Sequence, residues 1–214
     1  MKRALAGLVC GLALAGCQGP QMLGQRPATP QSIALQRGDV PHMQQCETTG
    51  DVDVVLQEEK TERSLVYDRH ATEWEQWKQQ GATAAYFAVF GATVADCVAA
   101  SASGTGAPLG GLMVGLVVEF KNATLAANNY QRDSTLMGLG PQDIRFIELA
   151  NGTTTFGTAT GLGPASVIGS GLVAGSSYFV AMWQNKSFEA DFIGYDVADA
   201  DADKAVLNMN RRII

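Results

Sequence analysis

Apolar and polar positions repeat with two different periods along this chain, and the clearest pattern sits near its middle. Leu112, Val114, Leu116, Val118 and Phe120 fall on one side of a period-two segment, and Met113, Val117 and Glu119 fall on the other. Apolar residues on both sides predict a strand from Leu112 to Phe120 in the interior of a sheet. Ala84 to Phe90 predicts a second buried strand. Nearer the C-terminus, Tyr178, Val180 and Met182 alternate with Phe179, Ala181 and Trp183, and both sets are apolar. After a turn at Gln184-Asn185-Lys186, Phe188, Ala190 and Phe192 alternate with Glu189 and Asp191. This predicts a hairpin whose second strand is half exposed, its two carboxylates facing water. Val52 to Leu56, Ser64 to Tyr67 and the Thr-rich stretch Thr153 to Thr160 are further strand candidates. Asn151-Gly152, just before the last of these, is a turn signal.

Helical patterns lie between the strands. Ala71 to Gln80 predicts a helix, with Thr72 and Glu75 as a capping box and Gly81 as its stop. Trp74 and Trp77 share one face of it. That face either packs on a sheet or forms a partly exposed aromatic clamp. Trp74, Trp77 and Trp183 are therefore the candidate contacts for a ligand or partner. Thr93 to Ser101 predicts a short helix carrying Cys97, and Asn122 to about Asp133 an Ala-rich helix with Leu125, Ala126 and Tyr130 inward. Pro141 to Ala150 fits neither period cleanly. A last helix is expected from Ala200 to Arg212, with Asp199, Asp201 and Asp203 at its first turn and Arg211 and Arg212 at its last, each where the helix dipole favours that charge. Val206, Met209 and Ile213 supply its packing face. Helices interleave with strands joined by short turns, so the expected fold class is α+β: an antiparallel or mixed sheet with helices packed on it. It forms one domain, residues 33–214, after a flexible tether.

The N-terminus follows a different logic. Lys2 and Arg3 precede an uncharged apolar run, Ala4 to Leu14, of 11 residues. A membrane-spanning helix needs about 20 apolar residues, so this run has the length and flanks of a secretory signal, residues 1–16. Leu14-Ala15-Gly16-Cys17 resembles the lipobox of bacterial lipoproteins. The resemblance implies cleavage before Cys17 and acylation of its thiol, with Cys10 discarded along with the signal. The partner so implied is a lipid bilayer, held through acylated Cys17, because two or more acyl chains anchor stably where one does not. Gln18 after the Cys implies, by the same resemblance, the outer membrane if the cell has one. Residues 17–32 carry Pro20, Pro27 and Pro30 without apolar periodicity. They read as an extended tether with a reach of roughly 45 Å.

Charge and cysteine content narrow the function. The full chain carries 15 basic and 21 acidic residues, and loss of residues 1–16 leaves 13 basic residues and a net charge of −8. That balance argues against nucleic acid and against a polybasic lipid-binding patch. In an exported chain, Cys46 and Cys97 most simply read as a disulfide, with two unpaired buried thiols as the alternative. His42 and His70 have no ligand spacing with them, so no metal and no cofactor is expected.

Chemistry-bearing motifs are sparse. An EF-hand counted from Asp199 fails at Lys204 and Asn210, where Gly and Glu are required. Ser170 lies in Gly169-Ser170-Gly171, not in a nucleophile elbow, and either histidine reads more simply as a surface residue than as a catalytic base. Gly104-x-Gly106 and Gly161-x-Gly163 lack the third Gly of a dinucleotide fingerprint. Glu189 and Asp191 as a glycosidase pair would need a cleft and a raised pKa. Asn122, Asn151 and Asn185 head glycosylation sequons of little weight in a bacterial lipoprotein.

From Asp39-Val40-Pro41 onwards the layout resembles extracytoplasmic sensor-like domains of actinobacterial lipoproteins and receptor kinases. The matching stretches are Gly161 to Pro164, Tyr178 to Tyr195, and a closing helix that ends at Arg211-Arg212. The receptor-kinase cysteine pattern is not matched. The resemblance implies an envelope module that binds or senses a small ligand or a protein partner without catalysis. The alternatives are a structural subunit of an envelope assembly and a hydrolase with an unrecognised site.

Overall fold

A computed structural model describes residues 27–101, 110–132 and 134–213. The signal, Cys17 and most of the tether lie outside the described residues, as does most of the loop before Gly111. The fold is α+β, as the periodicities predict. An eight-stranded antiparallel sheet runs in the order β1-β3-β4-β8-β7-β6-β5, with β2 also paired to β3. The strands are β1 (Gln44–Gln45), β2 (Gly50–Asp51), β3 (Ala82–Gly91), β4 (Leu112–Phe120), β5 (Thr153–Phe156), β6 (Ser166–Val173), β7 (Ser176–Asn185) and β8 (Phe188–Tyr195). β4 lies between β3 and β8, the interior position that its two apolar sides demand.

Helices cover both faces. On one side lie α1 (Pro30–Ile33) and α7 (Asp199–Arg211), where Val206, Met209 and Ile213 pack with Met113, Val117, Trp183 and Phe192. Opposite lie α2 (Val52–Thr61), α3 (Tyr67–Gln79), α5 (Ala123–Tyr130) and α6 (Gln142–Leu149). Trp74 and Trp77 of α3 pack there on Leu116, Val118 and Phe120, and Ile144 and Ile147 of α6 pack on Val167, Val180 and Met182. The remaining helix, α4 (Val94–Ser101), carries Cys97, which is disulfide-bonded to Cys46.

Several local expectations are corrected. Val52 to Leu56 is helical, not a strand: Val52, Val55 and Leu56 are buried at i, i+3 and i+4, while Val54 is exposed. Ser64 to Tyr67 is a turn leading into α3. α3 starts at Tyr67, so Thr72 lies inside it, and its hydroxyl donates to the Asp68 carbonyl at 2.7 Å instead of capping. Thr29 caps α1, whose Pro30 and Ile33 are buried, so packed structure begins within the stretch expected to be tether. The Thr-rich strand stops at Phe156, where Gly157 takes φ +63° and a 3₁₀ turn follows.

Asn151-Gly152 forms the expected turn, and that turn closes α6. Asn151 adopts φ +58°, and the Gly152 N–H donates to the Ile147 carbonyl at 2.9 Å, terminating α6. Gly152 then passes β6 closely. A Cβ there would stand 2.5 Å from Ile147 Cγ2 and 2.6 Å from the Ser170 carbonyl oxygen. Gly152→Ala is expected to destabilise the domain by about 2 kcal/mol through this overpacking. The readout is a lower urea midpoint at unchanged slope. An unaltered midpoint would mean that α6 does not depend on this crossing.

Candidate functional site

The least expected feature is on β8. Alternation puts Glu189 and Asp191 on the side opposite Phe188, Ala190 and Phe192, as the sequence implies. That side is not solvent, however. α5 and α6 cover it, and each carboxyl residue is only 3% exposed. Their neighbours across the sheet are Val118 and Leu116 on β4, and Gln184 and Met182 on β7. Asn129 of α5 donates its amide Nδ2–H to Glu189 Oε2 at 2.9 Å. The Asn129 Oδ1 and Asp191 Oδ1 atoms are buried without a hydrogen-bond partner among the described residues. The Tyr130 hydroxyl donates to the Met182 carbonyl at 3.4 Å.

Electrostatics at this cluster run in one direction. Burial pushes the Glu189 carboxyl well above the ordinary range, and the nearby Asp191 adds to the shift against the opposing Asn129 hydrogen bond. Burial, then the charge of Asp143, pushes Asp191 up to about 7. Asp143 on α6 is raised by burial to about 6, although its carboxylate accepts the Gly140 N–H at 3.0 Å. The Tyr130 phenol is also raised, by burial first and then by Asp191 and Glu189. Burial thus raises all four acids, and the charge of Asp143 on Asp191, of Asp191 on Glu189, and of both on Tyr130 adds to it.

Surface depressions among the described residues include the following two. One, of about 180 Å³, lies on α2 and α3 and is lined by Asp53, Leu56, Gln57, Tyr67, Trp74 and Glu75. Trp74 is buried beneath it, its indole N–H donating to Asp53 Oδ1 at 2.8 Å, with Lys78 Nζ 5.6 Å from the ring centroid. The other, of about 360 Å³, has walls of mixed polarity, with Thr153, Ser170, Leu172, Ser177 and Asp199 among its lining residues.

The sequence-predicted residues are dispersed. Trp74, Trp77 and Trp183 are all fully buried, so α3 presents no exposed aromatic clamp. Trp77 donates to the Thr135 carbonyl at 3.2 Å, and Trp183 lies across the sheet among Phe179, Phe192 and α7. His42 is exposed, but His70 is not the surface residue expected. Its Nδ1 lies 2.9 and 3.1 Å from the Glu59 carboxylate oxygens, and its Nε2 lies 3.2 Å from Arg69 Nη2. Both ring nitrogens are engaged, which leaves neither for a serine. Ser170 faces Thr153 instead, Oγ to Oγ1 at 3.4 Å. Asp199 and Asp201 lie exposed in the first turn of α7. Exposed apolar side chains gather on α6 and the edge strand β5: Phe146, Leu149 and Phe156 are 56%, 81% and 61% accessible. Among the described residues, no helix is long and apolar enough to cross a membrane.

No protein-family model matches the chain, and no curated protein matches it either. Among solved structures it is similar to the extracellular domain of PknH from Mycobacterium tuberculosis, with 12% identity, 64% of this chain and 67% of that chain covered, and a TM-score of 0.36.

Proposed function

We propose that this chain is an exported, lipid-anchored envelope module that binds or senses a ligand or partner and performs no covalent chemistry. The observation that carries the reading is the Cys46–Cys97 disulfide. Such a bond persists in oxidising compartments outside the cytoplasm, and it follows a segment whose Leu14-Ala15-Gly16-Cys17 suits acylation. Engagement of both His70 nitrogens by Glu59 and Arg69 supports the non-catalytic part of the reading.

Cys17→Ser tests the anchor. The variant is expected to leave the membrane fraction as uncleaved or soluble protein, while wild type stays with membranes through a carbonate wash. Retention of the variant after that wash rules the anchor out. A second reading, a structural subunit of an envelope assembly, draws on exposed Phe146, Leu149 and Phe156. Mass spectrometry of the natively purified chain separates the two, as a co-purifying small molecule or as a stoichiometric protein.

A further inference from the structure

We propose that Glu189 and Asp191 form a proton-operated latch: protonated, the pair holds α5 against the sheet in mildly acidic medium, and ionised, it releases α5 as the pH rises. The proposal goes beyond the anchoring and binding reading and stands whether or not Cys17 is acylated.

The geometry comes first. The two residues stand at i and i+2 on β8, so both side chains enter the same helix-covered layer. Their flanks on β4 are Leu116 and Val118, and on β7 Met182 and Gln184. None of these can carry a balancing charge. From α5 they meet the amide of Asn129 and the phenol of Tyr130, and from α6 the carboxyl of Asp143. The cations nearest in sequence to these helices, Lys121, Arg132 and Arg145, are exposed. An ionised carboxylate buried without a cation is strongly disfavoured, so the protein must either hold a proton there or open the layer.

α5 is the element able to open. It has only eight residues, and its polar ties to the sheet are the Asn129–Glu189 hydrogen bond and the longer Tyr130–Met182 one. Asn129 also keeps a buried Oδ1 with no donor among the described residues. A protonated Glu189 or Asp191 is a donor, whereas an ionised one is not. The unpartnered oxygens of Asn129 and Asp191 are therefore better served by the protonated pair.

The sign follows from linkage. These carboxyls bind protons more tightly folded than unfolded, so their contribution to stability is fully present below the unfolded carboxylate range. It is lost as pH rises from about 4 through the folded value of about 7. Most paired surface carboxylates give the opposite slope.

The test uses the full chain. Wild-type Tm is expected to fall by roughly 5–10 °C between pH 5 and pH 8. The Glu189→Gln/Asp191→Asn variant, which mimics the protonated pair, should lose most of that slope. Amide exchange corrected for intrinsic rates should show α5 losing at least tenfold protection at pH 8 relative to pH 5, with β4 and β8 largely unchanged. The exchange experiment needs only wild type, so it decides the matter even if the variant fails to fold. A flat wild-type profile, an undiminished slope in the variant, or uniform loss of protection over the whole sheet overturns the latch. So does restoration of α5 protection at pH 8 by millimolar calcium or magnesium, which would make the neutralising species a cation.

Discussion

Serine at both Cys46 and Cys97 is expected to lower the stability of the domain by about 4 kcal/mol. The bond joins residues 51 apart in sequence, and the loop it closes contains α2, α3 and β3. Cutting it restores that freedom to the unfolded chain. It also loosens the folded state at one edge. Cys46 N–H donates to the Val89 carbonyl at 2.9 Å, and Cys46 packs with Val89, Leu112 and Tyr195. β1 and β2 are two-residue strands that hold to β3 through few backbone bonds, so the covalent tie to α4 keeps them in register. Urea titration of the double variant should show a midpoint shift equivalent to several kcal/mol. A change below about 1 kcal/mol would mean that the edge is held by packing alone.

Arg212→Ala should be nearly as damaging, at about 3 kcal/mol or more. The guanidinium donates to both Asp39 carboxylate oxygens, at 2.8 and 3.1 Å, and to the carbonyls of Ile33 and Ala34. Asp39, whose side chain is 5% exposed, also accepts from the Gln36 N–H and from Asn208 of α7. Removing Arg212 leaves a buried carboxylate without its cation, which costs more than the lost contacts. Arg212→Lys should recover only part of the loss, because an ammonium cannot serve two carboxylate oxygens and two carbonyls from one plane. Calorimetry on wild type, Arg212→Ala, Asp39→Asn and the double variant gives the coupling directly. Strict additivity would show that the ends of the domain are held independently.

These two sites show how much of the fold the residue pattern carried. The strands β3, β4, β7 and β8 and the closing helix α7 were legible because each carries an unbroken apolar run or a single sustained period over five or more positions. The cysteine pair was legible because a chain read as exported, with two cysteines left after its expected signal, has one economical solution. Val52 to Leu56 misled because β-branched composition outweighed the i, i+3, i+4 spacing of Val52, Val55 and Leu56. The turn at Asn151-Gly152 was legible because Asn accepts the left-handed conformation, which here ends a helix. The stretches Asp39-Val40-Pro41 and Arg211-Arg212 were singled out separately. Their meeting as Asp39 and Arg212 is a tertiary fact that no local pattern contains.

The acidic pair is the instructive miss. Period-two alternation separated Glu189 and Asp191 from Phe188, Ala190 and Phe192 correctly. Reading the polar side as the wet side assumed a sheet covered on one face only. The cover comes from α5 and α6, which lie before β7 in sequence, and α6 spans a segment whose period was ambiguous. One signal was available: β7, the hairpin partner of β8, is apolar on both faces, as expected of a strand with helices above and below it.

The sheet order also sets a timetable. β4 is apolar on both sides, yet one of its two edges stays unpaired until β8 arrives, with Val117 meeting Ala190. A chain that emerges N-terminus first presents Cys46 and Cys97 well before β8 and α7. The crosslink can therefore form on an incomplete sheet, while the Leu112–Phe120 edge waits open for its neighbour. Long-range pairing of this kind is slow and leaves apolar strand edges exposed to self-association. Until that last hairpin arrives, the central strand of this sheet has an apolar edge with no neighbour to cover it.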